Sequence, residues 1–126
     1  EGKAEAAIEA LKKNDFVFLH IEASDEAGRE GDVDLKVTTI EYLDSRIVKP
    51  IYEEVSKWDE PVSIAILPDH PTPCAIKTHT ASAIPFIIYN PEAEADKVEV
   101  YNEFSVKEGS YGILNEDEFI KSFLKK

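Results

Sequence analysis

Val62-Ser63-Ile64-Ala65-Ile66-Leu67 runs directly into Pro68-Asp69-His70. The apolar part has the composition of a β-strand buried on both faces, the kind found in α/β layers. It closes on an acid and an imidazole, and His79 follows in the next loop. Carboxylate oxygen and imidazole nitrogen together suit Zn²⁺, Mn²⁺ or a similar divalent ion. Two of the three histidines of the chain fall in this one segment.

Working outward, Phe16-Val17-Phe18-Leu19-His20-Ile21 is a second continuous apolar run, and Ile84 to Tyr89 a third. Each reads as a buried strand. Ala4, Ala7, Ile8 and Leu11 have helical spacing, which predicts an amphipathic helix over 3–13. Glu22 to Gly31 reads as a polar loop. Asp32 is placed to cap a long helix with Val33, Val37, Ile40, Ile47, Ile51 and Val55 on one stripe. Pro50 interrupts that stripe and should kink or divide the helix near Lys49. Asn115 and Glu118 have the spacing of a capping box for a last helix. Phe119, Ile120, Phe123 and Leu124 supply its apolar face, and Lys121, Lys125 and Lys126 suit its C-terminal end.

The order helix, strand, helix, strand, strand, helix predicts a single α/β domain over 1–126 with a mostly parallel sheet. Three strands leave edges that need covering, by the rest of a larger fold or by a second copy in a homo-oligomer.

Composition narrows the classes. At 126 residues and 43% hydrophobic, the chain can build one core and reads as globular. The formal net charge of −12 argues against nucleic acid as a partner, since a phosphate backbone needs a basic face. No apolar run approaches the roughly 20 residues of a membrane helix, and no signal peptide opens the sequence. The single cysteine, Cys74, excludes an internal disulfide and fits a cytoplasmic setting. The chain contains no Met and starts at Glu1, which leads us to expect a processed product or a piece of something longer.

In open α/β sheets, ligands gather at the carboxyl ends of the strands. Asp25 lies shortly after the first apolar run, and Asp69 and His70 directly after the second. His79 lies in the loop entering the third. Loops leaving adjacent parallel strands converge, so these residues are candidates for one shared site. On the residues alone, a bland reading fits as well: Asp69 capping the turn at Pro68, His70 packed under the loop, and Asp25 an ordinary loop carboxylate. His20, inside an apolar run, reads as a hydrogen-bonded core or supporting histidine rather than a ligand. Cys74 reads as a small filler, with no basic or helix-terminal setting to form a thiolate.

Several short motifs then occur in an order that resembles a known family. They are His20-Ile21-Glu22-Ala23-Ser24-Asp25-Glu26-Ala27-Gly28, Gly31-Asp32, Leu67-Pro68-Asp69-His70-Pro71-Thr72-Pro73, Thr78-His79-Thr80, Ile84-Pro85-Phe86 and Glu108-Gly109-Ser110-Tyr111-Gly112. Together they resemble the C-terminal part of the archaeal-type, cofactor-independent phosphoglycerate mutases of the alkaline phosphatase superfamily.

The resemblance implies part of a three-layer sandwich with a mostly parallel sheet, a core of two divalent ions (Mn, Zn or Mg), and a small phosphorylated substrate, phosphoglycerate. In such enzymes one ion is held by an Asp-x-x-x-His element and a later His, places that fall here to Asp25, Arg29 and His79. The other is held by an Asp-His pair, here Asp69 and His70. An Asp and a nucleophilic Ser from the N-terminal half complete that second set. That Ser forms a phosphoserine intermediate, with the ions activating its hydroxyl and stabilising charge on the in-line oxygens.

Two departures follow. The nucleophilic Ser and its neighbouring Asp have no counterpart in this chain; Ser24, beside Asp25, belongs to a different motif. The chain is therefore expected to be inactive alone and to need the N-terminal half. In addition, Arg29 stands where a His is expected, and arginine has no lone pair for a metal. The first ion site is then doubtful, and Arg29 is a candidate to pair with Asp25 in place of a cation, or to contact phosphate. Two other readings stay open: a homoserine kinase-like phosphotransferase on the same scaffold, and a non-catalytic binding domain with a lost metal site.

Overall fold

A computed structural model describes residues 2–68, 70, 74–75, 83–115 and 117–124. The chain divides into two compact units, one on Glu1–Glu60 and Thr72–Thr80, the other on Pro61–Pro71 and Ala81–Lys126.

The first unit is helical among its described residues. Helix α1 spans Gly2–Leu11 and α2 spans Ala23–Glu30. Helix α3 spans Val33–Leu43, and α4 spans Lys49–Val55. The expected polar loop from Glu22 to Gly31 is thus mostly helix. It was hidden because an eight-residue helix with only Ala27 and Gly28 buried shows no apolar stripe. Its ends follow ordinary rules: Asp25 and Glu26 in the first turn, Arg29 in the last, and Gly31 beyond the end at φ 74. There Gly31 N–H donates to Gly28 O and Asp32 N–H to Ala27 O, both at 3.1 Å. The turn hands the chain at once to α3, whose N-cap Asp32 accepts from Leu35 N–H at 2.9 Å, as its position predicts.

The long helix is divided where Pro50 requires. Asp44–Val48 forms a π-helical turn in which Lys49 N–H reaches back to Asp44 O, and α4 then starts with Pro50 in its first turn. Proline has no N–H to offer the Arg46 carbonyl, and the widened turn absorbs the mismatch. Helix α2 packs against α3, and α1 packs along α4 and the π-helical turn. Among the described residues, the buried apolar side chains of the unit are Ala4, Ala27 and Val55. Val33, Val37 and Ile40, expected on a core-facing stripe, are exposed.

Phe16–Ile21 corrects the reading of a buried strand. It belongs to no β-ladder among the described residues, and Phe18 is 77% exposed. His20 is likewise exposed rather than in a core: its ring stacks on Phe18 with centroids 6.4 Å apart, and Nε2 lies 3.5 Å from Glu22 Oε1.

The second unit holds strands β1 (Ile64–Ile66) and β2 (Ile87–Tyr89), both within their expected runs. They pair antiparallel, with Ile64 opposite Tyr89, Ala65 opposite Ile88 and Ile66 opposite Ile87. The α/β class holds, whereas a mostly parallel sheet is not what the described residues form. A near-continuous apolar run signals burial on both faces, which is commonest in parallel sheets but does not itself fix the direction of the partner strand. A 3₁₀ turn at Ser105–Glu108 and helix α5 (Glu118–Leu124) follow. Half of the expected capping box is made, Asn115 N–H donating to Glu118 Oε1 at 2.7 Å. Phe119 of α5 meets Phe86 edge-on at 5.1 Å, and Tyr111 lies against the same ring at 5.8 Å. This aromatic cluster fixes α5 to the start of β2.

Candidate metal centre

Asp25 sits in the first turn of α2 and Arg29 in its last. Residues four apart share a helix face, so the two side chains meet: Arg29 Nε lies 3.0 Å from Asp25 Oδ2. The Asp25 side chain is 23% exposed and that of Arg29 57%. An acid placed N-terminal to its basic partner is also the arrangement favoured by the helix dipole.

His70 follows β1 after three intervening positions and is half-buried in the second unit. Asp69 and His79 lie outside the described residues. Among the described residues, no group of three His, Cys, Asp or Glu side chains stands close enough to hold an ion.

The donor chemistry can still be tested at Asp25. A divalent ion there needs a carboxylate oxygen at about 2.0–2.2 Å and further lone-pair donors around it. The structure instead puts a protonated guanidinium on that carboxylate, a group that donates hydrogen bonds and ligates nothing. The Asp25 corner, as this chain builds it, does not fit a metal ion.

Sequence reasoning passed over the group that frames the His70 segment. Tyr101 Oη donates to Pro85 O at 3.0 Å and lies 3.4 Å from Ile66 O. It therefore ties the end of β1 to the residues just before β2. Burial, with Glu103 nearby, pushes the Tyr101 hydroxyl up to about 12, so it stays a donor at neutral pH. Nothing in the spacing around Tyr101 marks this role, because both its partners are backbone carbonyls far away in sequence.

The chain as a whole has counterparts among known proteins. A profile of the Metalloenzyme superfamily matches residues 1–121, and the chain belongs to that superfamily. At the level of individual proteins, it is 52% identical over 126 residues to the 2,3-bisphosphoglycerate-independent phosphoglycerate mutase of Methanosarcina mazei. That match takes in 99% of this chain and 32% of the relative. The enzyme of the same name from Methanothrix thermoacetophila is 42% identical over 120 residues, 95% of this chain and 31% of the relative. The chain thus spans about a third of the length of the curated relatives it matches. A solved structure, that of the PH0037 protein from Pyrococcus horikoshii, superposes with a TM-score of 0.79 at 34% identity. It covers 87% of this chain and 32% of that one. No helix among the described residues is long and apolar enough to cross a membrane.

Proposed function

We propose that the chain is the C-terminal, metal-binding part of a cofactor-independent phosphoglycerate mutase, acting in the cytoplasm on 2- and 3-phosphoglycerate. The observation that carries this reading is the high identity, across nearly the whole chain, to proteins named as that mutase. In this reading Asp69 and His70 contribute to one divalent ion, with Mn²⁺, Zn²⁺ or Mg²⁺ as candidates. Asp25 and His79 are what remains of the set for the other. The rest of the parent enzyme supplies the nucleophilic Ser, a further Asp, and the strands that complete a three-layer, mostly parallel sheet. When bound, a divalent ion would lower the pKa of the attacking hydroxyl and take up charge on the in-line oxygens.

A chimera tests the reading, with this chain replacing the matching segment of the Methanosarcina mazei relative. Interconversion of 2- and 3-phosphoglycerate is expected, at a reduced rate, and no phosphorylation of homoserine by ATP. Homoserine phosphorylation instead would establish the kinase-like alternative. Mutase turnover by the 126-residue chain alone would contradict its dependence on the missing nucleophile. The Asp25–Arg29 ion pair favours a second reading, a binding domain that has lost catalysis. A chimera that folds and is inactive on both substrates supports that one.

A further inference from the structure

The metal core proposed above has a specific exception on α2, and the inference drawn here rests on that proposal. We infer that Arg29 is a built-in cation: its guanidinium occupies the charge position beside Asp25 and closes this corner to divalent metal. Three observations carry it. Arg29 Nε stands 3.0 Å from Asp25 Oδ2, at hydrogen-bond distance from an oxygen a metal would need. Both residues lie on a helix with defined ends, the cap at Gly31 and α3 packed alongside, so the one-turn spacing that joins them is fixed by the backbone. And the residue in this place is permanently protonated, with no lone pair, so it adds positive charge without adding a ligand. A divalent ion entering here would face the guanidinium charge at close range and find Asp25 already engaged.

The carboxylate consequently keeps a cationic partner without any dissociable ion. Chelators and metal-poor buffers should leave this corner unchanged.

The test is metal content per chain by elemental analysis after dialysis against Mn²⁺, on folded protein verified by circular dichroism. Arg29→His should hold one more ion per chain than the natural sequence, and adding Asp25→Asn to that variant should remove the gain. Equal metal content in the natural sequence and Arg29→His would overturn the inference. Asp25→Asn in the natural background gives a check that does not depend on Arg29→His folding: metal content should stay the same, and a loss would show that Asp25 ligates despite Arg29. Asp69→Ala and His70→Ala separate this inference from the reading beneath it. Loss of metal in those variants, with no gain from Arg29→His, overturns the built-in cation alone. No effect of any of these substitutions on bound metal overturns the metal core itself.

Discussion

Asp96 does its work through two backbone hydrogen bonds. Its Oδ2 accepts from Ser110 N–H and its Oδ1 from Val98 N–H, both at 3.0 Å, which pins Ser110 of the Gly109-Ser110-Tyr111-Gly112 stretch to the start of its loop. The bond from Ser110, then that from Val98, hold its carboxyl below the ordinary value of 3.8. Because the folded pKa is depressed, the stabilisation is present above the unfolded value and is lost as pH falls through the folded one. A urea midpoint that drops below about pH 4, with a shallower drop in Asp96→Asn, is the expected result. Tyr101 has the opposite sign. Its folded pKa of about 12 exceeds the ordinary 10.0, so its contribution is full below pH 10.0 and fades as pH rises through 12. Tyr101→Phe should cost about 0.5–1.5 kcal/mol in chemical denaturation at neutral pH, the scale of a neutral hydrogen bond. The sequence marked neither residue, since a side chain whose partners are distant backbone atoms leaves no periodic trace. It did mark Asp25 and Arg29 as a pair to examine, through the resemblance to an Asp-x-x-x-His element. That the two side chains meet on one helix face became visible only with the helix itself.

At the scale of elements, legibility followed locality. Asp32 capping α3 and Glu118 reaching back to Asn115 were readable because cap and target lie three residues apart. Pro50 dividing the long helix was readable for the same reason. Replacing Asp32 with Ala should cost about 1 kcal/mol in a urea titration, the typical value of an N-cap. An unchanged midpoint would mean that solvent or a neighbouring group satisfies Leu35 N–H equally well. The failures were elements whose identity depends on partners. Helix α2 lacks an apolar stripe, since little of it is buried. Phe16–Ile21 has the composition of a central strand, yet it joins no β-ladder among the described residues. For β1 and β2 the runs were readable but their antiparallel pairing was not, because direction is set by how the chain crosses between strands.

For the whole molecule, the exposed apolar side chains matter most. Phe18 in the first unit is 77% exposed, and Phe104 and Ile113 in the second are 77% and 80% exposed. In the reading proposed above, these are surfaces that the rest of the parent enzyme would cover. The 126-residue chain should therefore bind a hydrophobic dye such as anilinonaphthalene sulfonate or self-associate in sedimentation. A dye-silent monomer would show that these side chains need no cover. The candidate site divides in the same manner: the residue types and their order were legible, while the contact that decides whether Asp25 can ligate needed the fold of α2. The most direct measurement is the metal content of the unmodified chain after dialysis against Mn²⁺ or Zn²⁺. A metal core with Arg29 in place of one ion predicts no more than one tightly held ion per chain; two would contradict it.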